Sequence, residues 1–179
     1  MSMTNKIVTT KTFKEVARHD WSSEADVCEY IGSLIKMIGA KNVLEIGVFE
    51  GETSIKMVEA LSPGGKYTGI DINYYLKHDI NLKDVGFELI LGESIKVMQA
   101  MPPEQFDFIF VDGDHSWANI LPEFKEVERV IKPSGIMAYH DTIHLADPKR
   151  LMNFIKELGY NVITLNTSEG RGLSLIQKP

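Results

Sequence analysis

The chain has 179 residues, 44% hydrophobic and 25% charged, which at roughly 100 to 200 residues per domain predicts one globular core and excludes disordered, collagenous and disulfide-scaffold classes. Lys plus Arg number 19 against 25 Asp plus Glu, a formal net charge of −6 with no basic block, so no nucleic-acid partner is expected. A single cysteine (Cys28), an N-terminus without the apolar run of a signal peptide, and no stretch near the ~18 apolar residues of a spanning helix predict a cytoplasmic protein that does not enter the membrane.

In chain order, residues 1–22 read as an appendage or lid, and 23–179 as a single domain. Ser23 is placed to cap a helix over 24–38, which Gly39 ends. The apolar run 42–46 reads as a strand, and Thr53 or Ser54 opens a helix to about Leu61, ahead of the Ser62-Pro63-Gly64-Gly65 turn. Strands follow at 66–71 and 87–91, and the segment 74–85 between them is ambiguous. A helix over 94–100, a strand over 106–111, a helix over 117–131, a strand over 135–139 and a helix over 148–158 continue the alternation. The last strands, 161–165 and 172–177, are joined by about six residues, too few for a parallel crossover, so they should pair antiparallel. Short, often continuously apolar strands alternating with amphipathic helices predict an α/β fold, a doubly wound sheet covered on both faces.

The segment 43–54 is an apolar strand running into a Gly-containing turn and then a helix, the place where open α/β sheets bind ligands. It lacks the Gly-x-Gly-x-x-Gly dinucleotide fingerprint: Gly47 and Gly51 flank Phe49, and Glu45, Glu50 and Glu52 would repel a pyrophosphate. A ligand with a cationic end suits this loop better. Asp71, 24 residues after Gly47 at a strand end, sits where a carboxylate accepts both hydrogen bonds of a ribose diol; a strand-end turn cap is its bland alternative.

Glu45-x-Gly47-x-x-x-Gly51, Gly69-Ile70-Asp71, Leu91-Gly92-Glu93-Ser94 and the run 106–112 together resemble a class I S-adenosylmethionine-dependent methyltransferase, over about residues 22–179. The stretch 40–51 is similar to small O-methyltransferases of the catechol and caffeoyl-CoA type. Val111-Asp112-Gly113-Asp114-His115-Ser116 with Tyr139-His140-Asp141-Thr142 resembles the macrocin O-methyltransferase and cephalosporin-hydroxylase-like group. The resemblance implies a Rossmann-like seven-stranded sheet in the order 3-2-1-4-5-7-6 with strand 7 antiparallel. It also implies that Glu45, Gly47 and Gly51 surround the methionine part of S-adenosylmethionine, Asp71 the ribose, and Gly92, Glu93 and Ser94 the adenine. Phe49, Thr53, Ile72 and Asp112 join the expected cofactor set, although many class I members carry Gly where Phe49 stands.

Asp112 falls at the end of one predicted strand, and His140 and Asp141 at the end of the next. Adjacent parallel strands lie ~4.8 Å apart, so two carboxylates and an imidazole can converge on a divalent ion, Mg²⁺ or Mn²⁺, with the histidine tilting the choice toward Mn²⁺, Fe²⁺ or Zn²⁺. These positions match the ligand positions of metal-dependent relatives, except that His140 replaces a residue that is mostly acidic. Such an ion would lower the pKa of an acceptor hydroxyl. His115, at the position of a catalytic lysine in catechol-type enzymes, is the expected base and Asp114 the second candidate, while Asp112-Gly113-Asp114 also reads as an ordinary turn.

The acceptor is expected to be a small molecule carrying a hydroxyl: a sugar, a phenol or a natural product. Its contacts are sought in 13–22 (with Arg18, His19, Asp20 and Trp21), 74–78, Trp117 and 144–150. These segments are short, so a homodimer that completes the pocket is expected. Two alternatives stand beside this: a nonmethylating domain that binds S-adenosylmethionine or S-adenosylhomocysteine, and an NAD-dependent oxidoreductase.

Overall fold

The computed structural model describes residues 6–8, 23–76 and 86–179, the first three by backbone alone. Among the described residues, eight strands form one sheet: β1 (Lys6–Val8), β2 (Asn42–Ile46), β3 (Lys66–Asp71), β4 (Gly86–Leu91), β5 (Phe106–Val111), β6 (Ile131–Tyr139), β7 (Val162–Leu165) and β8 (Leu173–Gln177). The helices among them are α1 (Ala25–Ile38), α2 (Glu52–Ala60), α3 (Ser94–Gln99), α4 (Trp117–Val130) and α5 (Ala146–Glu157). The order is β1-β4-β3-β2-β5-β6-β8-β7. With β2 counted as the first, the seven strands β2 to β8 run 3-2-1-4-5-7-6 as expected, and β8 is antiparallel to both β6 and β7. β1 adds an antiparallel edge beside β4 that the sequence pattern did not announce.

The pleat divides the core between two faces. Along β5, Phe106, Ile109 and Val111 pack under α3, α4 and α5, while Phe108 and Phe110 pack under α1 and α2. Neighbouring residues of β2 and β6 split in the same way, Leu44 and Met137 to one side, Val43 and Ala138 to the other. A sheet apolar on both faces has to be covered on both. Of the methionines on apolar faces, Met57, Met98, Met137 and Met152 are buried and Met101 packs partly buried against the core, so all five act as filler.

Two local expectations are corrected. Ser23 does not cap α1: the capping position is Glu24, without a side-chain cap bond, and the Ser23 hydroxyl instead donates to Asp112 Oδ2 at 2.6 Å. β6 begins at Ile131, earlier than the predicted 135, because the chain pairs at Ile131, bulges through Pro133 and Ser134 (φ 63°), and resumes its register at Ile136. Among the described residues, no helix is long and apolar enough to cross a membrane.

Candidate active site

The sheet order reverses between β2 and β5, and ligands bind beyond the carboxyl ends of strands at such a switch point. A cavity of about 1180 Å³ opens there, larger than the ~300–1,000 Å³ usual for one small ligand, so it has room for a cofactor and an acceptor. Gly47, Phe49, Asp71, Ile72, Gly92, Glu93, Ser94, Asp112, Asp114, His115 and Asp141 all line it.

The loop after β2 is held in an unusual shape. Gly47, Phe49 and Gly51 have φ of 84°, 47° and 91°, a region that L side chains enter at a cost. A glycine at position 49 would carry no such penalty, so the φ of Phe49 accounts for the glycine expected there and makes Phe49 a strained residue. Asp71 Oδ2 accepts from the amides of Val48 and Phe49 at 3.0 and 2.8 Å, and the Phe49 ring packs on Tyr75, centroids 5.4 Å apart. Asp71 therefore braces the loop as well as facing the cavity.

Glu45, Gly51 and Thr53 lie behind this loop rather than on the main cavity. They line a small recess of about 40 Å³ that shares Gly47, Phe49 and Asp112 with it. The Thr53 hydroxyl sits 3.4 Å from Cys28 Sγ, turned toward α1. Glu45 is buried and accepts from the hydroxyls of Ser54 and Tyr67. Burial pushes its carboxyl up to about 8, against the pull of those two hydrogen bonds. An acid whose pKa is raised from 4.5 to about 8 by folding binds more protons folded than unfolded between those values, so stability should fall as pH rises through that window. Glu45→Gln is expected to remove this slope. The stability of the parent relative to the variant should drop by about 2 to 4 kcal/mol between about pH 5 and pH 8.5 in urea denaturation, and a constant difference would refute it.

On the other side, Asp112, His115 and Asp141 bring ligand atoms within 4.8 Å of one another. His115 Nε2 is 3.1 Å from Asp141 Oδ2 and 3.7 Å from Asp112 Oδ1. Asp141 holds a left-handed backbone (φ 57°), and its buried Oδ1 has no hydrogen-bond partner. Two carboxylates, one of them with an orphaned oxygen, and an imidazole fit a divalent cation.

His140 stands differently from the expected ligand set. It is buried, with Nδ1 3.1 Å from Asp112 Oδ1 and Nε2 3.3 Å from Glu24 Oε2. Burial opposes its charge, but Asp112, Asp141 and Glu24 outweigh it and raise the imidazole to about 9. Both ring nitrogens thus face carboxylates, Asp112 on one side and Glu24 on the other. His115 takes its place in the cluster, and His140 orients Asp112 from behind. Burial raises and His140 lowers the Asp112 carboxyl, with the net shift downward. For His115, burial pulls the imidazole down and the Asp141 bond and Asp112 charge push it up, with a net rise.

Asp114 is exposed at the rim, its Oδ1 accepting from the Ser116 amide at 2.9 Å. Of the acceptor-side candidates, Tyr75, His144 and Leu145 line the cavity. Trp117 packs instead against Phe154 and under Arg150, whose guanidinium carbon is 3.7 Å from the ring centroid. Residues 13–22, 77 and 78 lie outside the described residues. Sequence reasoning missed Glu24 and Glu123. Glu123 had a signal, an acid on the apolar stripe of α4 with Ile120, Phe124 and Val127; Glu24, just before a helix, had none.

A family profile for O-methyltransferase matches residues 2–149. Caffeoyl-CoA O-methyltransferase 2 of Petunia hybrida is 32% identical over 155 residues, covering 74% of this chain and 60% of that protein. The chain thus spans about three-fifths of that relative's length. Two solved structures share the fold. The O-methyltransferase from Bacillus cereus in complex with SAH has a TM-score of 0.65 at 20% identity, covering 89% of this chain and 84% of that one. The O-methyltransferase TomG from Streptomyces achromogenes, involved in tomaymycin synthesis and in complex with SAM, has a TM-score of 0.68 at 18% identity, covering 89% and 82%.

Proposed function

The chain belongs to the O-methyltransferase family, and on that premise we propose that it transfers a methyl group from S-adenosylmethionine to a hydroxyl of a small molecule with help from a divalent ion. One arrangement carries this: the strained glycine loop and the Asp112, His115 and Asp141 cluster face the same cavity, with Asp112 at their junction. The family leaves the oxidoreductase alternative without support.

S-adenosylmethionine supplies a methyl already activated on a sulfonium, and a divalent ion supplies Lewis acidity toward the acceptor hydroxyl. The chain's own task is alignment and proton removal. Asp71 positions the ribose through Oδ1, which accepts from the Asn73 amide at 3.1 Å and keeps a second lone pair; Gly47 and Phe49 shape the floor beneath the methionine part; Gly92, Glu93 and Ser94 border the adenine. Asp112 and Asp141 would hold the ion. His115 Nε2 accepts the acceptor's proton, and Asp141, 3.1 Å away, stabilises the imidazolium that forms.

The same nitrogen also completes the three-residue ligand cluster, and it cannot do both at once. Titration of His115→Ala with Mn²⁺ separates the two duties. As a base, its loss should lower kcat by ~10²-fold or more and change the Mn²⁺ Kd by less than about threefold. As a ligand, its loss should weaken Mn²⁺ by ~10-fold or more, leaving Asp114 as the base. The reaction class is tested with S-adenosylmethionine and an o-diphenol or diphenol thioester, with Mg²⁺, Mn²⁺ or a chelator, followed by mass spectrometry of the acceptor. Methyl transfer that is indifferent to the chelator would remove the metal from the account. We further propose a cytoplasmic location and a homodimer in which a second copy completes the acceptor side.

A further inference from the structure

Glu123 has no role in the mechanism above, yet it is a carboxyl buried to 1% exposure on α4 that reaches the cavity lining. The Ser94 hydroxyl donates to its Oε1, which ties it to the first residue of α3. Its Oε2 is buried with no hydrogen-bond partner. Asn119, one turn earlier on α4, lines the cavity beside it. A buried carboxylate oxygen without a donor costs free energy, and the cavity is the side from which a donor can arrive.

We propose that Glu123 selects the base of the cofactor: its free carboxylate oxygen, fixed by Ser94, accepts a hydrogen bond from the exocyclic amine of adenine. This rests on the cavity being an S-adenosylmethionine site with the base beside Ser94. The choice of atom follows from chemistry. An adenine substituted at N9 offers acceptors at its ring nitrogens and a single N–H donor group, the 6-amine, and an ionised carboxylate only accepts. Burial pushes the Glu123 carboxyl up to about 7, against the Ser94 hydrogen bond and the nearby Asn119 amide, so its charge is costly until a donor reaches it. Glu123 is then a specificity residue, distinct from the loop that holds the sugar and the sulfonium.

Calorimetry tests this with S-adenosylhomocysteine and its analogue carrying hydrogen in place of the 6-amino group, on the full chain, Glu123→Met and Glu123→Gln. The parent protein should prefer the amino ligand by at least ~10-fold, because a site built to pair a donor rejects the analogue that lacks it. Glu123→Met should lower that preference to under about threefold by weakening the amino ligand alone. Glu123→Gln, which keeps a carbonyl acceptor, should restore most of it. Equal loss for both ligands in Glu123→Met, or a parent preference near one, would overturn the proposal; the parent measurement needs no variant to fold. A parent that binds neither ligand would instead refute the cofactor assignment itself.

Discussion

Gly47→Ala is expected to abolish S-adenosylhomocysteine binding and to lower stability by about 3 kcal/mol or more. The residue has φ 84°, and a Cβ built on it would stand 2.2 Å from the carbonyl oxygen of Asp112, 2.6 Å from its carbonyl carbon and 2.9 Å from the Gly113 nitrogen. All three are backbone atoms, so no side chain can rotate away. Relief requires β2 and β5 to part at their carboxyl ends, where Asp112 N donates to Ile46 O at 2.8 Å. That movement would displace the loop and Asp112 together, and with them both halves of the site. The left-handed conformation alone costs ~1–2 kcal/mol for an L residue, and the overlap adds to it. Gly64→Ala is the matched control: φ is 82°, and nothing lies within 4 Å of the added carbon. It should lose only the conformational part, about 1 kcal/mol, and bind ligand normally. Thermal melts and calorimetry of the two variants decide the matter, and equal behaviour would contradict the close packing of loop against strand.

Asp112→Ala and Asp141→Ala are both expected to abolish divalent-ion binding and to reduce methyl transfer by ~10²-fold or more, but to differ in stability. Asp112 holds the buried His140 at 3.1 Å and accepts from Ser23 at 2.6 Å. Its removal leaves the His140 ring with Glu24 at 3.3 Å and the more distant Asp141 at 3.8 Å. Breaking a buried ion pair from one side typically costs ~3–5 kcal/mol; since the Asp112 side chain is 15% exposed, a loss near the lower end is expected. Asp141 is attached more lightly. One of its oxygens has no hydrogen-bond partner, and its closest ionic contact, His115, is 25% exposed, so Asp141→Ala should cost less than about 1 kcal/mol. Urea denaturation beside Mn²⁺ titration reads both quantities, and a large stability loss in Asp141→Ala would show that the cluster is structural before it is functional.

Much of the sheet was legible because continuous apolar runs such as 106–111 have few other uses, and a six-residue connection forbids a parallel crossover. The strand at Lys6–Val8 was not, since a three-residue edge strand leaves no periodic trace. At the site, Gly47, Asp71 and Asp112 were legible because spacing from a strand end fixes where a residue emerges. His115 joins the two carboxylates while His140 sits behind Asp112, for a reason that spacing does not carry. Residues next to each other at a strand end point to opposite sides, so Asp141 faces the cavity while His140 turns under it toward Glu24, and that acid comes from the start of α1, distant in sequence. Glu45 shows the same limit. Its place in the loop motif is plain, but its side chain turns toward Ser54 and Tyr67 on the α2 face instead of into the cavity.

The most direct test of the central claim is calorimetric titration of metal-stripped protein with S-adenosylhomocysteine and, separately, with Mn²⁺. The account predicts one saturable site for each, with the adenosyl ligand retained and the metal lost in Asp141→Ala. Failure of the parent protein to bind S-adenosylhomocysteine would contradict it at its root.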